Sequence, residues 1–192
     1  MQHSPFRLLP LILLSFLLAG CAVRSVIPPE AILDTDVRSA VRAHLRHGDW
    51  VVSRGIHGAD NVVATATNAP LSHAAIYDAE NNLFIESESQ GVHCTALDDF
   101  FAKSHRIMVL RPMWATPQVA SAAVIRAREV IGKGYNFAVF VGLSQPERYY
   151  CTQLVMYAYE PYIKEQPENP IPRVLKPGQM YHWARIIYDS GP

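Results

Sequence analysis

The chain has 192 residues, with 17 basic and 17 acidic side chains and a formal net charge of zero. That length suits one domain with a single core, and the balanced charge leaves no electrostatic footprint for nucleic acid. With 49% hydrophobic and 18% charged residues, the composition is that of a globular protein rather than a disordered one.

The N-terminus stands apart from the fold. Met1–Arg7 carries a positive charge, Leu8–Ala19 is an apolar run broken only by Pro10 and Ser15, and Leu18-Ala19-Gly20-Cys21 follows. A charged start, a short apolar stretch and small residues before a cut site describe a secretory signal, and the run is short for a membrane span. The Leu-Ala-Gly-Cys ending resembles the bacterial lipobox, in which the cysteine is lipidated and becomes the first mature residue. This implies a signal peptide over residues 1–20, a lipid on Cys21, a tether over residues 21–33 that includes Pro28-Pro29, and a domain over residues 34–192. Ala22 is not the aspartate of an inner-membrane retention signal, so the expected location is the outer membrane, facing the periplasm.

Asp34 or Thr35 caps a predicted helix running to about Arg46, with Val37, Ala40, Val41 and Leu45 on one face and Gly48 ending it. Gly48–Ser53 reads as a turn into a strand. Gly55 to Pro70 has few periodic apolar positions and reads as a loop, long enough to expect a function. Ser72–Tyr77 and Leu83–Glu88, separated by the turn-prone Asp78–Asn82, form a predicted hairpin, and Val92–Thr95 adds a third strand. Leu97–Ala102 suits one or two helical turns, and Arg106–Leu110 a further strand closed by Pro112. Thr116-Pro117 starts a helix that runs to Ile131. Tyr135–Val141 reads as a strand or buried connector. Tyr149-Tyr150-Cys151 then opens an amphipathic helix that ends near Pro161, with Leu154, Val155, Ala158 and Tyr159 on its buried face. A polar loop to Pro177 and a last strand over Trp183–Tyr188 complete an α+β order, an antiparallel sheet packed against the cysteine helix.

Cys151 falls at that helix N-terminus, where unpaired N–H groups and the helix dipole favour a thiolate. A thiol nucleophile needs a base within reach and a third group to orient the base. His73 opens a strand whose hairpin partner carries carboxylates. A two-residue Ala79-Glu80 loop sets His73 opposite Glu86, a four-residue loop Ala79–Asn82 sets it opposite Glu88, and an Asn81-Asn82 turn sets it opposite Gln90. Every register keeps His73 on the face of Glu86, Glu88 and Gln90, and hairpin geometry alone does not choose between them. A Cys94–Cys151 disulfide is chemically allowed in an oxidising envelope and would remove the nucleophile. His44, His47, His93, Cys94 and His105 show no recognised ligand spacing, so neither a metal nor a cofactor is expected.

Gly48-Asp49, Ser72-His73-Ala74-Ala75-Ile76, Ile85-Glu86-Ser87, Gly91-Val92 and Tyr150-Cys151-Thr152-Gln153-Leu154-Val155, in that order, resemble the YaeF/YiiX group. These are circularly permuted papain-like enzymes of the NlpC amidase superfamily, distantly similar to lecithin:retinol acyltransferase. The resemblance spans about Gly48 to Tyr181. It implies a permuted papain-like fold in which Cys151 is the nucleophile, His73 the base and Glu86 the orienting residue, with Asp49 bracing a strand start. Two positions depart from the group's pattern: Tyr135-Asn136 stands where relatives often show Tyr-Asp, and Gln153 where many are acidic. Both bear on substrate contacts. The implied activity is hydrolysis of an amide through a thioester, on a peptide, peptidoglycan fragment or lipid amide, with Tyr149 and Tyr150 candidates to line the cleft. Lipid ester hydrolysis or acyl transfer is the alternative implied by the acyltransferase kinship, and a non-catalytic binding module on the same fold is the reading from another class.

Overall fold

The computed structural model describes residues 33–141, 145–164 and 168–191. The expected signal peptide, Cys21 and nearly all of the tether lie outside the described residues. The elements in order are α1 (Thr35–His44), β1 (Trp50–Gly55), α2 (Gly58–Thr67), β2 (His73–Asp78), β3 (Leu83–Glu88), β4 (Gly91–Ala96), α3 (Leu97–Ala102), β5 (Ser104–Pro112), α4 (Pro117–Glu129), β6 (Gly134–Tyr135), β7 (Arg148–Tyr149), α5 (Cys151–Tyr159) and β8 (Ala184–Asp189). Short 3-10 turns cover Phe137–Val141, Glu160–Tyr162 and Pro177–Trp183.

Six strands form one antiparallel sheet in the order β4-β3-β2-β1-β5-β8, while β6 and β7 make a separate parallel pair. The central strands β1 and β2 are buried at every residue, because helices cover both faces of the sheet. On one face Val51, Ala75, Phe84 and Val109 pack against Val41 of α1 and Phe100 and Phe101 of α3. On the other face Trp50, Val52, Ala74, Ile76 and Ile85 pack against Ala123, Val124 and Ala127 of α4 and Leu154, Val155 and Ala158 of α5. This is the α+β arrangement expected, with the cysteine helix lying on an antiparallel sheet.

Local chemistry explains the helix starts. Asp34 accepts the Val37 N–H at 2.8 Å, and Thr116 accepts that of Val119 before Pro117 at the first helical position. The expectation that failed is the loop over Gly55 to Pro70, which is instead helix α2. Its apolar periodicity is weak, and Ala64 is its one buried residue. Polar contacts hold it: Asp60 accepts the His57 N–H and the Ser72 hydroxyl, and Arg54 donates to the Asp60 carbonyl and the Asn61 side chain. Asn68, in the left-handed region with φ of 49°, ends it. Two smaller differences concern Tyr135–Val141, which divides into the two-residue β6 and a 3-10 turn, and Pro177–Trp183, a 3-10 turn before β8.

Candidate active site

Asp78 pairs with Leu83, so the β2–β3 hairpin has the four-residue loop Ala79–Asn82, and Ala75 faces Glu86. His73 lies two residues before Ala75 on the same face, and its imidazole reaches Glu86 on the diagonal rather than straight across. The His73 Nε2–H donates to Glu86 Oε2 at 2.6 Å. Cys151, the first residue of α5, also acts on the His73 imidazole and raises its pKa. With Nε2 engaged by the carboxylate, Nδ1 is the nitrogen left for the thiol. His73 begins its strand, and at a strand end a side chain from one face can meet a helix terminus packed on the other.

The structure therefore brings together Cys151, His73 and Glu86. All three are buried, and Glu86 is completely so. A buried carboxylate is costly unless it is paired, and Glu86 is paired several times over. Beyond His73 it accepts from Thr95 Oγ1 and, at 2.6 Å, from Lys103 Nζ, and His93 Nε2 lies 3.4 Å away. Burial alone would push its carboxyl up, but the bonds from His73 and His93 and the Lys103 charge outweigh it and hold the group well below its ordinary value. His73 shows the converse. Burial would lower it, yet hydrogen bonds to Cys151 and Glu86, with their charges, raise it to about 10.

Glu88, the rival orienting residue, lies close enough to His73 for their ligand atoms to fall within 4.8 Å, but its hydrogen bonds go elsewhere. It bonds Lys103 Nζ at 2.7 Å and approaches His93 at 3.4 Å. Its carboxyl is lowered to about 2 because bonds from His93 and Lys103 overcome burial and the repulsion of Glu86. His93 is raised to about 10 by bonds to Glu86 and Glu88. Gln90 bonds Glu88 through its amide, away from His73.

The flanking aromatic residues divide. Tyr150 is the N-cap of α5, and its hydroxyl engages the Leu175 backbone and Thr152. Tyr149 stacks on Tyr157 with ring centroids 5.1 Å apart, near Arg126 and Glu160, while its carbonyl accepts from Ser87 Oγ at 2.6 Å. The Tyr135 phenol is raised first by burial and then by the Cys151, Tyr150 and Glu88 charges. Phe137, 55% exposed, packs on Tyr135 at 4.8 Å. The two departures from the group's pattern touch each other: Asn136 Nδ2 donates to Gln153 Oε1 at 3.2 Å, and the same oxygen accepts the Tyr150 N–H. They tie β6 to the first turn of α5. Asp49 accepts both arms of Arg111 at 2.7 and 2.8 Å and the Arg46 N–H, bracing the entry to β1 away from the thiol.

Cys94 and Cys151 are both free thiols, Cys94 exposed on β4 and Cys151 buried. Two clusters among the described residues have the spacing of metal ligands: His73, Glu86 and Glu88, and His47, Asp78 and Glu80. Each already contains a cationic side chain. Lys103 bridges Glu86 and Glu88, and Arg128 bridges Asp78 and Glu80, so an ion at either cluster would have to displace a cationic side chain. Sequence reasoning did not place Thr95 and Lys103 at the site, and it weighed His93 only as a metal ligand and Tyr135 only for substrate contacts; the four come from β4, the end of α3 and β6, and no short-range pattern links them to Glu86 or Cys151.

No curated protein sequence matches the chain. Among solved structures, it is similar to a crystal structure of the metalloprotein yiiX from Escherichia coli O157:H7. The match is 21% identical with a TM-score of 0.52 and covers 62% of this chain and 67% of that one. At that identity the likeness speaks for the fold. The model of the permuted papain-like amidase enzymes, YaeF/YiiX, C92 family, matches residues 44–176, a span that contains His73, Glu86 and Cys151. The chain belongs to that family of permuted papain-like amidases.

Proposed function

We propose that this protein is a thiol hydrolase that cleaves an amide bond through Cys151, His73 and Glu86. The observation that carries the reading is His73 held between a fully buried carboxylate and a cysteine at a helix start. Glu86 fixes the ring and favours its protonated form, so the imidazolium sits beside the thiol and stabilises the thiolate. The thiolate attacks the carbonyl carbon, and the oxyanion that forms is met by backbone N–H groups. The Cys151 N–H, in the first turn of α5, has no intrahelical acceptor and suits that role. His73 then gives its proton to the leaving amine, which departs as the thioester forms. Water, losing a proton to His73, attacks the thioester, and the acid and free thiol are released.

The substrates that fit the expected envelope location are peptides, peptidoglycan fragments and lipid amides. The exposed Phe137 packed on Tyr135 supports the lipid alternative, hydrolysis or acyl transfer, because an acyl chain can lie along an aromatic wall. A Cys94–Cys151 disulfide would favour the binding-module reading, and both thiols are free in this structure. Anchoring through Cys21 at the outer membrane is part of the same proposal and rests on the sequence alone. The yiiX neighbour is described as a metalloprotein. In this chain Lys103 and Arg128 fill the two ligand-like clusters, and no step of the proposed reaction uses a metal.

The test is peptide-resolved mass spectrometry after brief treatment with iodoacetamide at pH 6–7, wild type beside His73→Ala. Cys151 is expected to label far faster than an ordinary thiol, with that advantage gone in the variant. Labelling of wild-type Cys151 no faster than exposed Cys94 would overturn the hydrolase reading.

A further inference from the structure

The Lys103 ammonium is held from several sides. It donates to Glu86 Oε1 at 2.6 Å and to Glu88 Oε1 at 2.7 Å, and lies 5.6 Å from the centre of the Phe100 ring. Phe100 in turn lies 6.2 Å from the His73 ring. Lys103 follows the last turn of α3, where its N–H bonds the Asp99 carbonyl and its own carbonyl accepts the Ile56 N–H. A lysine fastened at both backbone and ammonium, with a fifth of its side chain exposed, differs from the mobile lysine of a protein surface.

Its partner Glu86 is the residue that holds the imidazole, and the two interactions use different oxygens, Oε1 for Lys103 and Oε2 for His73. Anchoring one oxygen fixes the rotation of the carboxylate and aims the other. The charged and titratable groups around this point are Glu86 and Glu88 of β3, His93 of β4, Lys103 after α3, His73 of β2 and Cys151 of α5, with the Tyr135 phenol on β6. Lys103 is the permanent positive charge among these named groups.

We propose that Lys103 is a positioning residue for the hydrolysis: its ammonium, clamped between Glu86 and Glu88, aims Glu86 at His73 and sets the charge balance of the Cys151–His73 pair. This rests on the hydrolase reading above. The sign follows from electrostatics. Removing the positive charge makes the site more negative, which disfavours the thiolate and favours the imidazolium. Both limbs of the reactivity–pH curve of Cys151 then move to higher pH. Removing the Glu88 charge instead moves both limbs to lower pH.

The experiment is the rate of Cys151 alkylation by iodoacetamide across pH 4–11 in the full chain, comparing wild type, Lys103→Met, Lys103→Arg and Glu88→Gln. An opposing charge about 4–6 Å away shifts a titration by about one to three pH units, and Lys103 acts on the pair across Glu86, so the low end, about one unit, is expected. Lys103→Met is therefore expected to raise the acid limb by about that much, with up to tenfold slower alkylation on that limb. Lys103→Arg is expected to restore the wild-type position, and Glu88→Gln to shift the limb downward. A purely structural role would lower the melting temperature and leave the limbs in place. Unmoved limbs in Lys103→Met, or shifts of the same sign in Lys103→Met and Glu88→Gln, overturn the proposal. If Lys103→Met does not fold, Glu88→Gln decides alone by a downward shift or its absence. A wild-type Cys151 no more reactive than Cys94 overturns the hydrolase reading itself, and with it this one.

Discussion

Glu86 has the most constrained side chain of the site. It has no exposed surface and takes bonds or close approaches from His73, Thr95, Lys103 and His93. Glutamine in its place keeps one acceptor but turns an NH2 toward groups that are themselves donors, so at least one contact becomes donor against donor. Glu86→Gln is expected to slow Cys151 alkylation at pH 6–7 by on the order of 10²-fold, the lower end of what a positioned acid–base group contributes. A loss under threefold would move the orienting role to another carboxylate, with Glu88 the first to test. His73, Glu86 and Cys151 were legible in the sequence because the pattern that places them is short-range: a strand start, its hairpin neighbour and a helix start. Choosing Glu86 over Glu88 from geometry was beyond it, since the diagonal contact depends on how far the imidazole leans along the strand. Lys103 and Thr95 were illegible for a similar reason, since each reaches Glu86 only once α3 and β4 have docked.

At the level of elements, the six strands of the main sheet were readable from their β-branched and aromatic runs, unlike the two-residue β6 and β7, and α1, α4 and α5 from caps and apolar stripes. Helix α2 was not, because it is held by Arg54, Asp60 and Ser72 rather than by an apolar face. Its end was nevertheless signalled by Asn68, followed closely by Pro70. The junction of β4 with β6 makes a second test. Gly91 has φ of +103°, and a Cβ there would sit 2.3 Å from the Lys133 carbonyl oxygen. That carbonyl accepts the Val92 N–H at 2.8 Å, and Lys133 leads straight into β6 and Tyr135. Gly91→Ala combines a disfavoured backbone conformation with a backbone clash, so it is expected to cost about 1–3 kcal/mol. Urea unfolding checks the cost. Because the displaced segment carries Tyr135, Cys151 alkylation should change in the folded variant too, and an unchanged rate would mean that β6 does not shape the site.

For the whole molecule, the charged cluster gives stability a pH profile. Glu86 and Glu88 titrate below the ordinary 4.5, Glu88 at about 2, because bonds from their His and Lys partners outweigh burial. Their contribution is complete above that ordinary value and is lost as pH falls toward the folded values. His73 and His93 are raised from 6.5 to about 10, so their contribution is complete below 6.5 and is lost as pH rises through about 10. The window in which both hold is about pH 4.5–6.5. The melting temperature followed by calorimetry is expected to be highest there and to decline toward pH 10, with a shallower decline in His93→Gln. A maximum above pH 8 would contradict the charge assignment.

The chain's tryptophans, Trp50, Trp114 and Trp183, all lie in the core on one side of the sheet, shared with α4 and α5. Trp50 meets Tyr159 of α5 edge-on at 5.5 Å and Trp114 at 6.1 Å. The opposite core, beneath α1 and α3, contains phenylalanine and tyrosine but no tryptophan among its described residues. The intrinsic emission of this protein is therefore one-sided. Loosening of the helix that carries Cys151 would redden the fluorescence, while loosening of α1 and α3 over the other face would leave it dark to the spectrometer.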